Sequence, residues 1–167
     1  MQQQIILETP LGRMRLRAED GAVTGLDFAA PACREPDLSA ALPAAEAAAP
    51  PLREAVHWTE RYFRGEDPGP VPPLRPAGTA FQQRVWSLAA AIPRGETRSY
   101  GALAGALGSS ARAVGQALGQ NPILLLIPCH RVLGADGRLV GYAAGLERKA
   151  FLLDLEARAH RSFPPER

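Results

Sequence analysis

The sequence predicts an α+β chain in two parts. Residues 1–76 form a three-stranded antiparallel sheet with one helix; residues 77–160 form a mostly helical half; residues 161–167 form a flexible tail. Three observations predict this. The first thirty residues alternate polar and apolar side chains between turn residues. A proline-rich stretch, DPGPVPPLRPAG (67–78), breaks that pattern and reads as a linker. Beyond it the apolar spacing turns helical, with capping residues at the helix starts.

The elements follow in order. QQIILET, GRMRLRAE and AVTGLDF read as strands, the second with Arg13, Arg15 and Arg17 alternating against Met14, Leu16 and Ala18. Pro10–Gly12 and Asp20–Gly21 supply the turns of a meander. The Ala/Pro-rich segment 29–51 reads as a loop, with Cys33 incidental within it. A helix over 52–64 points Val56, Tyr62 and Phe63 inward and stops at Gly65. Thr79 with Gln82 has capping-box spacing and opens a helix that buries Phe81, Val85, Trp86 and Leu88, ended by Pro93–Gly95. Ser99 caps a short helix, SYGALAGALG; after a Gly108–Ser110 turn, ARAVGQALGQN forms another. That pair has the layout of a helix-turn-helix, whose second helix enters a DNA groove, although most such hairpins never touch nucleic acid. A buried strand ILLLI (123–127), a hairpin turning at Asp136–Gly137 and an amphipathic helix over 146–159 complete the chain.

Composition excludes other classes. An apolar fraction of 46% and a charged fraction of 22% fit a globular protein rather than a disordered one. No apolar run reaches the length of a membrane helix, and the N-terminus lacks the layout of a signal peptide, so a soluble, cytoplasmic protein with no membrane partner is expected. Two cysteines without a CxxC pair argue against a disulfide framework or a cysteine-based zinc site. Charge is uneven: residues 1–80 carry 8 Arg against 11 acids, whereas 81–167 carry 10 Arg and Lys149 against 6. The basic half suits an anionic partner.

The chemistry concentrates around Cys129. Residues 121–132, NPILLLIPCHRV, deliver a proline and then a cysteine beside a histidine and an arginine. With Pro128 at the first helical position, Cys129 falls in a first helical turn, where unpaired amides favour a thiolate. His130 can take the thiol proton through a water, Arg131 adds positive potential, and Glu156 on the last helix is a candidate to orient His130. The competing reading of Cys129 is a small buried hydrophobe, the commonest fate of an unpaired cysteine.

IPCHRV, preceded by NP and followed by GY…GL..K..LL..E, resembles the active-site signature of the O6-alkylguanine-DNA alkyltransferases, the methylated-DNA–protein-cysteine methyltransferases. FQQRVW, IPRGETRSYG, ARAVGQAL and NPI fit in the same order, so the likeness is dense over 79–158. It implies a ribonuclease H-like N-terminal part and a winged helix-turn-helix-like C-terminal part. It also implies a monomeric suicide transferase with no cofactor and no metal, acting on O6-alkylguanine, and less well O4-methylthymine, in double-stranded DNA entered from the minor groove. The base is flipped out, and Cys129 takes the alkyl group irreversibly.

By the same resemblance His130 is the water-mediated base, Glu156 orients it and Asn121 braces the turn. Tyr100 assists proton transfer at the flipped base, and Lys149 sits near the leaving oxygen. Arg112 is the finger that fills the vacated stack; Tyr100, Ala111, Ala113, Gly115, Gln116 and Arg131 contact DNA with it. Pro128, Val132, Tyr142, Ala143 and Ala144 line the base pocket. Two departures stand out: the turn LGSSARAV is slightly short, and Ala144 replaces a glycine, which would narrow the pocket against bulky adducts. A damage sensor of the same build would lack the cysteine, a helix-turn-helix regulator would not need PCHR, and a cysteine hydrolase would not need the DNA-binding layout.

Overall fold

The computed structural model describes residues 1–29 and 47–162. Most of the Ala/Pro-rich segment, Cys33 and the end of the tail lie outside them. The chain divides into two compact units, Met1–Ala77 and Gly78–Arg167.

In the first unit, β1 (Gln2–Thr9), β2 (Gly12–Glu19) and β3 (Ala22–Phe28) form an antiparallel meander in the order β1-β2-β3. The register aligns Ile5 with Leu16 and Leu26, and Leu7 with Met14, so one face is a continuous apolar surface. A bulge at Arg17/Ala18 shifts the β2–β3 pairing. Helix α1 (Pro50–Phe63) crosses all three strands and buries Leu52, Ala55, Val56 and Tyr62. Its last turns carry a Trp58–Tyr62 stack at 5.2 Å, with Phe63 half-buried at the edge of Tyr62. The proline-rich segment is not a bare linker. Leu74 bridges Val23 of β3, flanked by backbone bonds of 2.8 Å, and Trp58 Nε1 donates to the Gly69 carbonyl. Prolines lack donors, but their carbonyls can still cover a sheet edge.

The second unit is helical. Helix α2 (Ala80–Ala90) opens with the full Thr79–Gln82 capping box and buries Val85, Trp86 and Ala89; Phe81 and Leu88 are only half-buried. Helix α3 (Tyr100–Leu107) is capped by Ser99 and ends at Gly108, whose φ of 61° is the left-handed conformation that glycine adopts without penalty. Helix α4 (Ala111–Gly119) is capped by Ser110 and packs on both α2 and α3, its Ala117 carbonyl accepting from Trp86 Nε1. Helix α5 (Leu146–Ser162) ends the described chain, so Arg161 is helical where a tail was expected.

Two expected elements differ. Residues 123–127 form no strand; they make a tight buried turn. The Leu126 N–H donates to the Leu124 carbonyl around Leu125, which sits at φ 71°. An apolar run of this length reports burial, not extension. The Asp136–Gly137 turn exists, both residues having positive φ, but no second hairpin strand follows. Instead β5 (Val132–Leu133) pairs in parallel with β4 (Arg98–Ser99), aligning Ser99 with Leu133. That pairing sets the start of α3 beside the Cys129 turn.

Candidate active site

The turn before Cys129 is held by Asn121. Its Nδ2 donates to the Ile127 carbonyl (2.9 Å) and to Cys129 Sγ (3.2 Å), while its Oδ1 accepts from the Ile123 N–H (2.9 Å). Pro128, at φ −80° and ψ 61°, is the centre of an inverse γ-turn closed by the Cys129 N–H on the Ile127 carbonyl at 2.8 Å. It therefore precedes the helical residues rather than opening them. Cys129–Arg131 form a single 3-10 turn. One such turn supplies little dipole. Burial pushes the Cys129 thiol up to about 11 against the opposing Asn121 bond and Lys149 charge, so the resting sulfur is a neutral thiol and not the thiolate its sequence position suggested.

Behind the sulfur lies a buried polar cluster. His130 is wholly buried, and its Nε2 meets Glu156 Oε1 at 2.6 Å. With Nε2 donating to the carboxylate, Nδ1 is the unprotonated nitrogen, and it is buried without a partner. Burial lowers the His130 pKa and keeps the ring neutral. Burial would raise Glu156, but its bonds to His130 and Arg131 hold the carboxyl well below the usual range.

Lys149 is also fully buried. Its Nζ donates to the carbonyls of Val132 (2.6 Å) and Gly141 (3.0 Å), with the Val140 carbonyl and Tyr100 Oη at 3.3 Å. The Tyr100 hydroxyl donates to the Val140 carbonyl at 2.6 Å. Burial lowers Lys149 and raises Tyr100. Two donors thus fasten the loop after the Asp136–Gly137 turn to β5.

These residues surround a cavity of about 790 Å³ with largely apolar walls. Cys129 contributes to its lining. Tyr100 and Ser99 come from the start of α3, Ala111, Arg112, Gly115 and Gln116 from α4, and Tyr142 and Ala143 from the loop. Arg112 is exposed at the rim and, among the described residues, its side chain has no ion pair or hydrogen bond.

The family description "6-O-methylguanine DNA methyltransferase, DNA binding domain" matches residues 80–158. A methylated-DNA–protein-cysteine methyltransferase of Mycobacterium leprae is 43% identical over 152 residues, covering 90% of this chain and 89% of the relative. The chain belongs to the methylated-DNA–protein-cysteine methyltransferase family. A Methanosarcina acetivorans family member is 51% identical over 107 residues, covering 63% of this chain and 69% of its own. Among solved structures, the Mycobacterium tuberculosis O6-methylguanine methyltransferase superposes with a TM-score of 0.78 at 37% identity, over 99% of this chain and 97% of that one. The same organism's protein in complex with DNA matches with a TM-score of 0.76 at 38% identity, over 93% of each chain.

Against this methyltransferase background, the predicted residues separate into groups. Cys129, Tyr100, Arg112, Ala111, Gly115, Gln116, Tyr142 and Ala143 share the cavity wall; Asn121, His130, Glu156 and Lys149 stand behind it. Arg131, expected on the DNA-contacting surface, is turned inward. It is buried, with its guanidinium on Glu156 and the Ile92 carbonyl. Pro128 and Val132 are buried outside the lining, drawn inward by the γ-turn and by the β4–β5 pairing. Ala144 is off the lining too, next to Ala143, which lines it; Ala113 turns to a second hollow, with Phe81 and Gln82. Sequence reasoning missed Gly119, Gly134, Ala135 and the Val140–Gly141 backbone. The run Ala111, Gly115, Gly119 at helical spacing was a readable sign of a concave wall.

Proposed function

We propose that the chain is a single-turnover DNA repair transferase that moves the alkyl group of O6-alkylguanine, and less well that of O4-methylthymine, from duplex DNA onto Cys129. What carries this reading is Cys129 on the wall of an apolar cavity, backed by a histidine whose unprotonated Nδ1 is buried and unpartnered. The target base is flipped from the stack into this cavity, at a cost of a few kcal/mol that is least for a mispaired base. Arg112, at the rim, fills the gap it leaves. The protein acts as a monomer from the minor groove, with residues 77–160 carrying the chemistry and the first unit serving as scaffold.

The chemistry follows from the groups at hand. His130 Nδ1 receives the thiol proton through a water, with Glu156 stabilising the imidazolium that forms. The sulfur attacks the alkyl carbon as the C–O6 bond breaks, forming a thioether. Guanine leaves poorly as an anion, so Tyr100, its hydroxyl backed by the Lys149 ammonium, supplies a proton or hydrogen bond to the departing base. A thioether is not cleaved by reductants, so each molecule reacts once.

The test is an oligonucleotide with labelled O6-methylguanine. Label is expected on the wild-type chain and none on Cys129→Ser, with duplex binding retained. An unlabelled wild type overturns the proposal.

A further inference from the structure

Arg131 adjoins the reactive dyad, yet the transfer steps above give it no task. It is 8% exposed and every edge of its guanidinium is occupied. Nε donates to Glu156 Oε2 at 2.9 Å and more weakly to Oε1 at 3.2 Å, Nη2 donates to Oε1 at 2.9 Å, and Nη1 donates to the Ile92 carbonyl at 2.7 Å. One planar group therefore ties together the chain just after α2, the 3-10 turn and α5.

We propose that Arg131 is a positioning residue for alkyl transfer, fixing the Glu156 carboxylate so that His130 donates through Nε2 and keeps Nδ1 open to accept the thiol proton. This inference rests on the reading of Cys129 as the alkyl acceptor. A fork bonded to both carboxylate oxygens leaves Glu156 one orientation, whereas a lone buried carboxylate could turn either oxygen toward the ring. Oε1 receives His130 and Arg131 together, which defines where the imidazole edge must lie.

Charge acts in the same direction. The groups facing His130 are Glu156 and Lys149 from α5, Cys129 and Arg131 from its own turn, and the Tyr142 ring, edge-on at 6.4 Å. Glu156 alone would draw a proton onto the ring from solvent and fill Nδ1. Arg131 and Lys149 oppose that. Arg131 answers the carboxylate charge directly, so the dyad rests as carboxylate and neutral imidazole.

The experiment measures single-turnover benzyl transfer from free O6-benzylguanine, a substrate that needs no DNA contact, across a range of pH. The proteins are wild type, Arg131→Gln, Arg131→Lys, His130→Asn and the Arg131→Gln/His130→Asn double variant. Arg131→Gln is expected to slow transfer at neutral pH by about tenfold or more, as loss of groups that orient a functional imidazole does elsewhere. Its acid limb moves upward by about one pH unit, because the ring now protonates more easily. Arg131→Lys keeps the charge and loses the fork: transfer still slows, but the acid limb stays nearer the wild type. With His130→Asn already present, Arg131→Gln adds no further loss. Duplex affinity is unchanged throughout, and nitrogen NMR of His130 reports the Nε2–H tautomer in wild type and its loss in Arg131→Gln.

Additive losses in the double variant, an unmoved pH profile, or weaker duplex binding at a normal free-base rate each overturn the proposal. Failure of both arginine variants to fold overturns it as well, because Arg131 would then be a requirement of the fold. A wild type that takes no group from either substrate sinks the proposed function instead, and the tautomer measurement still decides the role of Arg131.

Discussion

Cys129 holds its proton at rest, so the proposed transfer draws its reactivity from His130 and not from a standing thiolate. Alkylation of the substrate-free protein by iodoacetamide is expected to be slower at neutral pH than that of free cysteine, rising toward about pH 11. A fast, pH-independent reaction near neutrality would show that the sulfur is ionised by something else. The dyad also ties stability to acid. Glu156 titrates below its unfolded value, so its contribution is complete above the ordinary carboxylate range and is lost as pH falls from about 4.5 through about 2. His130 titrates below its unfolded value too, and its contribution is lost as pH drops below about 6.5. Thermal unfolding should therefore show a melting temperature that falls from neutral pH down to about pH 2, and Glu156→Gln should start lower and fall less steeply between about pH 4.5 and 2. A parallel slope in that variant would remove the dyad from the account. At this scale, sequence placed Cys129 beside His130 through their adjacency after an apolar run, whereas Glu156 stood out only through the family resemblance, because a carboxylate on an amphipathic helix reads as an ordinary charge. Sequence misjudged Arg131, since whether a charge faces solvent or a buried carboxylate depends on how α5 returns to the turn, and no local pattern encodes that.

Among the elements, α4 is read most fully from its residues. Ser110 caps it, Val114, Ala117 and Leu118 face inward, and small residues line the cavity side. A Cβ on Gly115 would lie 3.9 Å from the Tyr100 ring, an ordinary contact. Gly115→Ala should therefore fold, gain about 0.5–1 kcal/mol from helix propensity, and still accept O6-benzylguanine. Gly115→Leu should keep the fold but fill the cavity, reducing benzyl transfer more than methyl transfer; equal loss with both adducts would mean that this wall does not set size. The Cys129 turn was less legible. Five consecutive apolar residues predict burial whatever the backbone does, and the positive φ of Leu125 has no glycine to announce it. The β4–β5 pair escaped notice for a related reason: two-residue strands leave no periodicity, and their pairing spans more than thirty residues of sequence. Caps are legible because the side chain and the amide it accepts from are three residues apart; pairings across the unit are not.

Across the whole chain, the acidic and basic halves visible in the composition fall close to the two compact units, the first of which ends within the proline-rich segment. Prolines did not by themselves reveal that the segment also edges the first sheet, because its bonds run from carbonyls and from the few remaining amides. The positive balance of the second unit bears on DNA, and the proposed role of Arg112 allows affinity to be separated from chemistry. It is exposed on the first turn of α4 and at the cavity rim, whereas the sulfur, the dyad and Asn121 are held by bonds that do not involve it. Removing its side chain should weaken duplex binding and slow repair of a duplex lesion while leaving transfer from free O6-benzylguanine intact. A residue that fills a vacated stack contributes only while a base is extruded, so Arg112→Ala should lose more affinity for lesion duplex than for undamaged duplex. A phosphate contact would instead weaken both equally and flatten the salt dependence of each. Parallel binding curves at several ionic strengths, set beside the free-base rate, distinguish these outcomes. If the free-base reaction falls together with duplex repair, Arg112 shapes the cavity itself, and the stack-filling role is wrong.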